Sequence, residues 1–250
     1  MKTKSKSLLW VTDADNTLWD TNAIFERAHL GLLASVEDLL GIACGSPDRL
    51  KYIRDVDQMI ASMHAKGLRY PVELLIAGVE CRLRGGSVTH SVDSVLKGEI
   101  ATVARYSNAI EKFTETISLT PDLRMGVLEG VAQLAEYGAT IVVATEGAKS
   151  RIDSCLRIHR LSEFVSACVE GAKTSELYCR ISESVDCDSQ WVIGDQLDRD
   201  VLPAISAGFN AAYFPGGFLP SWHVPSNISS ATVVVNDYFE AVKFAMSGAE

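Results

Sequence analysis

The sequence predicts an α/β fold: a Rossmann-like parallel sheet whose first strand is separated from the rest by an inserted all-helical segment. Short apolar runs recur near both ends of the chain, and helical patterns alternate with them there. The stretch in between repeats at helical spacing. The runs are Leu8–Thr12, Thr140–Ala144, Trp191–Ile193, Ala211–Phe214 and Thr232–Val235. Each is near-continuous rather than alternating, as strands buried on both faces are. Between them, helical patterns are predicted near residues 123–137, 149–159, 175–184 and 198–207. Strand and helix in alternation imply parallel strands joined by right-handed crossovers. Gly138 and Gly208 fall just past two of these helices, where a left-handed C-cap is wanted.

Residues 21–118 read differently. Phe25, Ala28, Leu32, Val36 and Leu39 repeat at three- and four-residue steps, and so do Leu50, Ile53, Val56, Ile60 and Met63. Val72, Leu75, Ile76, Val79 and Leu83 follow, then Ile110, Phe113 and Ile117. These stripes predict amphipathic helices with no strand among them. The expected division is a core of residues 1–20 and 119–250 around a helical domain of residues 21–118.

Composition narrows the function classes. At 250 residues, with 47% hydrophobic and 22% charged residues, disorder and a small disulfide-stapled fold are poor fits. The formal charge of -9 disfavours a nucleic-acid partner. The six cysteines (Cys44, Cys81, Cys155, Cys168, Cys179 and Cys187) form no C-x-x-C pair, so free thiols in a reducing compartment are expected. The apolar start Leu8-Leu9-Trp10-Val11 is too short for a signal peptide. No run approaches the ~18 apolar residues of a membrane span. A cytoplasmic protein, monomeric or homodimeric, is the expectation.

The chemistry is concentrated at strand ends. The first run leads into Asp13-Ala-Asp15-Asn16-Thr17, two carboxylates at i and i+2 followed by turn residues. In open α/β sheets, ligands gather at the carboxyl ends of strands. Trp191-Val-Ile-Gly194-Asp195 ends another run, and Asp198 and Asp200 follow in the turn before a helix. Carboxylates converging from two strand ends call for a hard cation, and oxygen ligation suits Mg²⁺. A helix-capping role is open to Asp198 and Asp200, and for Asp198 it is preferred. Thr145-Glu146-Gly147 closes a third run with a hydroxyl and a glycine, a combination that can hold phosphate ahead of a helix but is, alone, as common as an N-capping hydroxyl. Lys173 stands in a loop before the next helix.

In the order Asp-x-Asp, Thr, Lys, Gly-Asp-x-x-x-x-Asp, these residues resemble the four motifs of the haloacid dehalogenase superfamily, across nearly the whole chain. The helical insertion after the first motif is similar to that family's first cap type. The resemblance implies a Mg²⁺-dependent phosphohydrolase acting on a small phosphorylated metabolite. Asp13 would be the nucleophile, forming an aspartyl-phosphate, and Asp15 the general acid/base. Thr145, Glu146, Gly147 and Lys173 are the expected phosphate-side residues. Asp13, the Asp15 carbonyl, Asp195 and Asp200 are the expected metal-site residues. The family's dehalogenases lack an acid at the position of Asp15, which argues here for phosphoryl transfer. A phosphomutase, a phosphonatase using Lys66, Lys97 or Lys112, and a non-catalytic phosphate binder are the alternatives.

Three departures from the family pattern stand out. Asn16 replaces a common glycine. Glu146 replaces an uncharged residue, and its carboxylate is expected in solvent or at Lys149, the alternative being repulsion of a second anionic group on the substrate. Thr174 replaces a frequent proline, so a less rigid Lys173 loop is expected. In the helical insertion, Arg69-Tyr70 and Arg82-Leu-Arg84 are either a solvated face or contacts to substrate. Trp19, Trp222 and His223 are expected to shape the entrance, His223 in a structural rather than a catalytic role.

Overall fold

Leu8–Thr12 form strand β1, and all five residues are buried. Leu9 and Val11 pack into one hydrophobic layer while Leu8 and Trp10 pack into the other. That two-sided burial is the physical meaning of the unbroken apolar run. The structure, a computed structural model, describes residues 7–65, 67–98, 104–219 and 232–247. Lys66, Trp222 and His223 lie outside the described residues.

The chain divides into two compact units, with boundaries after Asn22 and after Leu119. The unit over Ala23–Leu119 takes most of helix α1 (Thr21–Leu40) with α2 (Arg49–Met63), α3 (Val72–Leu83), α4 (Val88–Leu96) and α5 (Ser107–Ile117). Its core is drawn from the predicted stripes, with Leu32, Val36, Ile53, Val56, Ile60, Leu75, Ile76 and Val79 buried together, while Leu39 and Met63 at the ends of two stripes are exposed. Each such side chain contributes roughly 1.5–3 kcal/mol on leaving water. Asp48 and Ser87 cap α2 and α4 by accepting from the Lys51 and His90 amides at 2.8 and 3.2 Å.

Several polar side chains of the insertion are held within this unit. Arg82 lies over the Tyr52 ring at 3.8 Å, donates to the Tyr52 carbonyl and stands 3.5 Å from Asp55. Arg84 pairs with Glu80 at 3.0 Å, and the Tyr70 hydroxyl donates to Asp57. α4 was not predicted, although Val88, Val92 and Val95 fall at the same four- and three-residue steps as the other stripes.

The second unit holds the sheet. After β1 come α6 (Val127–Tyr137), β2 (Thr140–Thr145), α7 (Lys149–Ile158), β3 (Val165–Glu170) and α8 (Ser175–Glu183). Then follow β4 (Ser189–Gly194), a π-helical stretch (Leu197–Val201), α9 (Leu202–Ser206), β5 (Asn210–Tyr213), β6 (Thr232–Val234) and α10 (Tyr238–Ser247). All strand pairs are parallel, in the order β3-β2-β1-β4-β5-β6. The strand order reverses at β1, which makes its carboxyl end the switch point where such sheets bind ligands. Gly138 and Gly208 cap their helices with φ of 82° and 87°, as expected.

Two elements differ from expectation. The helix predicted from residue 123 starts at Val127 because Gly126 adopts φ 80°, and a Cβ there would lie 2.7 Å from the Phe239 amide nitrogen. The helix predicted over 198–207 is split, its first half being the π-helical stretch. No helix among the described residues is long and apolar enough to cross a membrane, and all six cysteines are free.

Candidate active site

The carboxyl ends of β1, β2 and β4 are adjacent, since Thr12 pairs with Val143 on one side and Ile193 on the other. Asp13 adds one more rung, its amide donating to the Ile193 carbonyl at 3.0 Å. Its buried carboxylate meets the Lys173 ammonium through Oδ1, while Oδ2 has no hydrogen-bond partner. Lys173 reaches Asp200 Oδ1 as well, at 2.5 Å. Asp13, Asp195 and Asp200 are all buried, and one carboxylate oxygen from each lies within 4.8 Å of the others.

Such a cluster is unfavourable without a cation. Burial pushes the Asp13 carboxyl up from 3.8 to about 7, with the charges of Asp200 and Asp15 adding to the rise and Lys173 opposing it. Asp195 is pushed well above the carboxylate range by burial and then by Asp13 and Asp200. Asp195 Oδ2, like Asp13 Oδ2, is buried and unpartnered. Two orphaned carboxylate oxygens in an all-oxygen donor set fit a hard divalent cation.

A stability test follows. The folded-state pKa of Asp13 is raised, so its ionisation destabilises the cation-free protein as pH climbs from 3.8 towards about 7. Mg²⁺ should therefore raise the thermal midpoint, and more above about pH 7 than below it, where protons compete for the same oxygens. At a hundredfold excess over Kd the gain is about 2.7 kcal/mol. Thermal melts with Mg²⁺ and with chelator, across pH, measure it; an increment that ignores pH would contradict this reading.

Two loops around this carboxylate cluster leave no room for side chains. At Gly194 a Cβ would lie 2.2 Å from Asp200 Cβ, which is why a glycine precedes Asp195. At Gly216 it would lie 2.6 Å from Asp195 Oδ2 and 2.7 Å from Asn16 Cβ. The π-helical turn brings Asp200 back so that its Oδ2 accepts from the Gln196 amide at 2.9 Å. Asp200 thus joins the cluster and caps its own turn, while Asp198 is exposed.

Asp15 is oriented by its neighbours. Its Oδ1 accepts from the Trp19 indole at 3.0 Å and the Thr21 hydroxyl at 2.6 Å. Trp19 is fully buried, so it serves as a support for Asp15 and not as part of an entrance. Asn16 takes φ 58°, an angle asparagine tolerates, and its Oδ1 accepts from the Asn22 amide at 2.7 Å. A Cβ on Gly147 would lie 3.4 Å from Asp15 Oδ2 and 3.3 Å from Thr145 Oγ1, which places these three residues side by side. Thr145 is buried and accepts from the Gly147 amide at 2.9 Å.

Glu146 departs from expectation. Its carboxylate, about a third exposed, pairs with Arg199, at 2.7 Å, and accepts from the Lys173 amide, at 3.2 Å. Lys149 donates its amide to Glu170 and its ammonium to the Cys168 carbonyl. One supporting residue had no signature in the sequence. Arg124 donates to the carbonyls of Asn16, Phe214 and Pro215, the last two at 3.2 and 2.8 Å, and stacks on the Phe214 ring at 3.4 Å. It ties the Asp13–Asn16 loop to the segment that passes Asp195.

No family model and no curated protein sequence matches this chain. Solved structures do. A haloacid dehalogenase-like family hydrolase from Xanthomonas campestris is similar at TM-score 0.63 and 19% identity, over 98% of both chains. The HAD hydrolase YfnB from Bacillus subtilis, solved with bound magnesium, is similar at TM-score 0.58 and 14% identity, over 98% of this chain and 100% of its own. A 2-haloacid dehalogenase from Pseudomonas syringae is similar at TM-score 0.52 and 14% identity, again over 98% and 100%. The sheet order, the strand-end carboxylates and these likenesses agree: the chain has the fold of the haloacid dehalogenase-like hydrolases.

Proposed function

We propose that this protein is a Mg²⁺-dependent phosphohydrolase acting on a small phosphate monoester through an aspartyl-phosphate at Asp13. The observation that carries the reading is the pairing of Asp13, whose Oδ2 is unpartnered, with Asp15, a second carboxylate held by Trp19 and Thr21. A halide leaves without a proton, whereas an alkoxide needs one, and Asp15 is suited to give it. The fold alone is shared by both chemistries.

Asp13, Asp195, Asp200 and the Asp15 carbonyl would hold the cation, whose charge offsets the repulsion between carboxylate and phosphate. An Asp13 oxygen attacks phosphorus, and the bond to the leaving oxygen breaks with its electron pair. Asp15 supplies the proton to that oxygen. Asp15 then takes a proton from water as the water oxygen attacks phosphorus, releasing inorganic phosphate and the Asp13 carboxylate. Thr145 and the backbone at Gly147 would orient the phosphoryl oxygens, and the Lys173 ammonium would stabilise the charge building on them. The free cysteines suit the reducing conditions of a cytoplasmic enzyme.

Hydrolysis of 4-nitrophenyl phosphate and of an alkyl phosphate, with Mg²⁺ or chelator, is the test. Wild type should release inorganic phosphate only with the cation. Asp15→Asn should lose about 10²–10⁴-fold on the alkyl ester. Its loss in the first step should be smaller on the nitrophenyl ester, whose leaving group needs little help, so that phosphoenzyme accumulates. Turnover of 2-chloropropionate in place of either ester would overturn the reading.

A further inference from the structure

Glu146 is the side chain in the site whose chemistry fits least well with an anionic substrate. It follows Thr145 directly, yet it carries a negative charge beside a place meant for phosphate. Its contacts resolve the conflict. One carboxylate oxygen, Oε1, accepts from the Lys173 amide at 3.2 Å, and the other, Oε2, accepts from Arg199 at 2.7 Å. Residue 146 follows β2, Lys173 follows β3, and Arg199 lies in the π-helical turn after β4. A single side chain therefore joins three strand-end loops.

We infer that Glu146 is a positioning residue, fixing the Lys173 loop to the turn that carries Asp200 and thereby setting where the Lys173 ammonium meets the Asp13 nucleophile. The inference rests on the phosphohydrolase reading for its kinetic consequence, though the tie itself does not. Lys173 is buried with its ammonium between Asp13 and Asp200, so it acts at one place only. Its loop lacks the stiffening a proline would give at Thr174. The Gly171 amide bonds to the Thr145 carbonyl at 2.9 Å, and the Thr174 amide to the Ala172 carbonyl at 2.9 Å. Glu146 supplies the contact at Lys173 itself. A misplacement of about 1 Å in such a group costs on the order of 10²-fold in rate. Arg199 has a second effect: it balances the Glu146 charge, so that the carboxylate does not repel the substrate. The pair is about a third exposed on each side, at 38% and 34%, so it contributes little to overall stability.

The experiment compares wild type, Glu146→Ala, Glu146→Gln and Arg199→Ala. It reads kcat and KM for 4-nitrophenyl phosphate with Mg²⁺, hydrogen exchange at the Lys173 amide, and the thermal midpoint. Glu146→Ala should lower kcat by roughly tenfold or more, speed exchange at Lys173, and barely move the midpoint. Glu146→Gln keeps an acceptor for that amide and should recover most of the exchange protection and much of kcat. Arg199→Ala severs the link to the Asp200 turn and leaves the carboxylate uncompensated, so it should lower kcat and raise KM together. The inference is overturned if Glu146→Ala leaves both kcat and Lys173 exchange within twofold of wild type, or if Glu146→Gln behaves like alanine. Should wild type hydrolyse nothing, the phosphohydrolase reading fails and the exchange measurement alone decides the tie.

Discussion

Replacing Asp13 with asparagine is expected to abolish turnover while making the cation-free protein more stable. Asparagine keeps the shape of the side chain but cannot form the acyl-phosphate, so the rate should fall by about a thousandfold or more. The opposite sign in stability comes from the same carboxylate. Burial and two neighbouring charges disfavour the ionised form enough to hold its pKa at about 7. Above that pH the wild-type protein carries an unfavourable buried charge that the variant lacks. A gain of about 1 kcal/mol is expected, of the size seen when a functional strain is relieved. Thermal melts in chelator, beside phosphate release in Mg²⁺, report both effects. A variant that loses activity and stability together would mean that Asp13 is chiefly a structural partner for Lys173.

The second large effect is at Gly194. A methyl group there would sit 2.2 Å from Asp200 Cβ and 2.3 Å from its Cγ, far inside contact distance. The clash is with the base of a buried side chain rather than its flexible end, so the turn after β4 must shift. Gly194→Ala should destabilise the protein by about 1–3 kcal/mol. It should also remove the stabilisation by Mg²⁺, because Asp200 would be displaced from Lys173 and Asp195. Gly31→Ala is the matching control: a Cβ at that position meets nothing within 4 Å, inside α1. It should be neutral or stabilising by about 0.4–1 kcal/mol. If Gly194→Ala kept its response to Mg²⁺, Asp200 would not belong to the cation site.

How far the sequence was legible depended on where each element's partners lie. β1, β2 and β4 were visible because their residues are buried on both faces, which demands unbroken apolar runs. β3, at one edge of the sheet, escaped because its run is broken by Ser166 and is exposed at Ser166 and Ala167, whereas the other edge strand, β6, is a short unbroken apolar run. α10 escaped as well, and nothing short of the fold shows that Tyr238 meets Trp10, whose indole donates to its hydroxyl at 2.8 Å. The carboxylates stood out as acidic ends of apolar runs, whereas Thr145 and Lys173 stood out only through the order of the four motifs; the structure brings Lys173 to Asp13 and Asp200, and Thr145 beside Asp15. Arg124 was not legible, since its partners are backbone carbonyls and any residue supplies one. Glu146 was legible as an oddity but not as a tie, because Arg199 lies far away in the sequence.

The central place of β1 has a consequence for how the chain is born. Leu9 pairs with Thr140, and Leu8 with Ser189. During synthesis the first strand therefore emerges with both of its edges unsatisfied and waits for neighbours made much later. The helices of Ala23–Leu119, whose contacts are local, can consolidate in the meantime. The strand that leads to Asp13 is thus made before all the neighbours it pairs with and is among the last secured. Until then its apolar face is open to wrong partners, which makes the ribosome-bound half-chain the stage most in need of a chaperone.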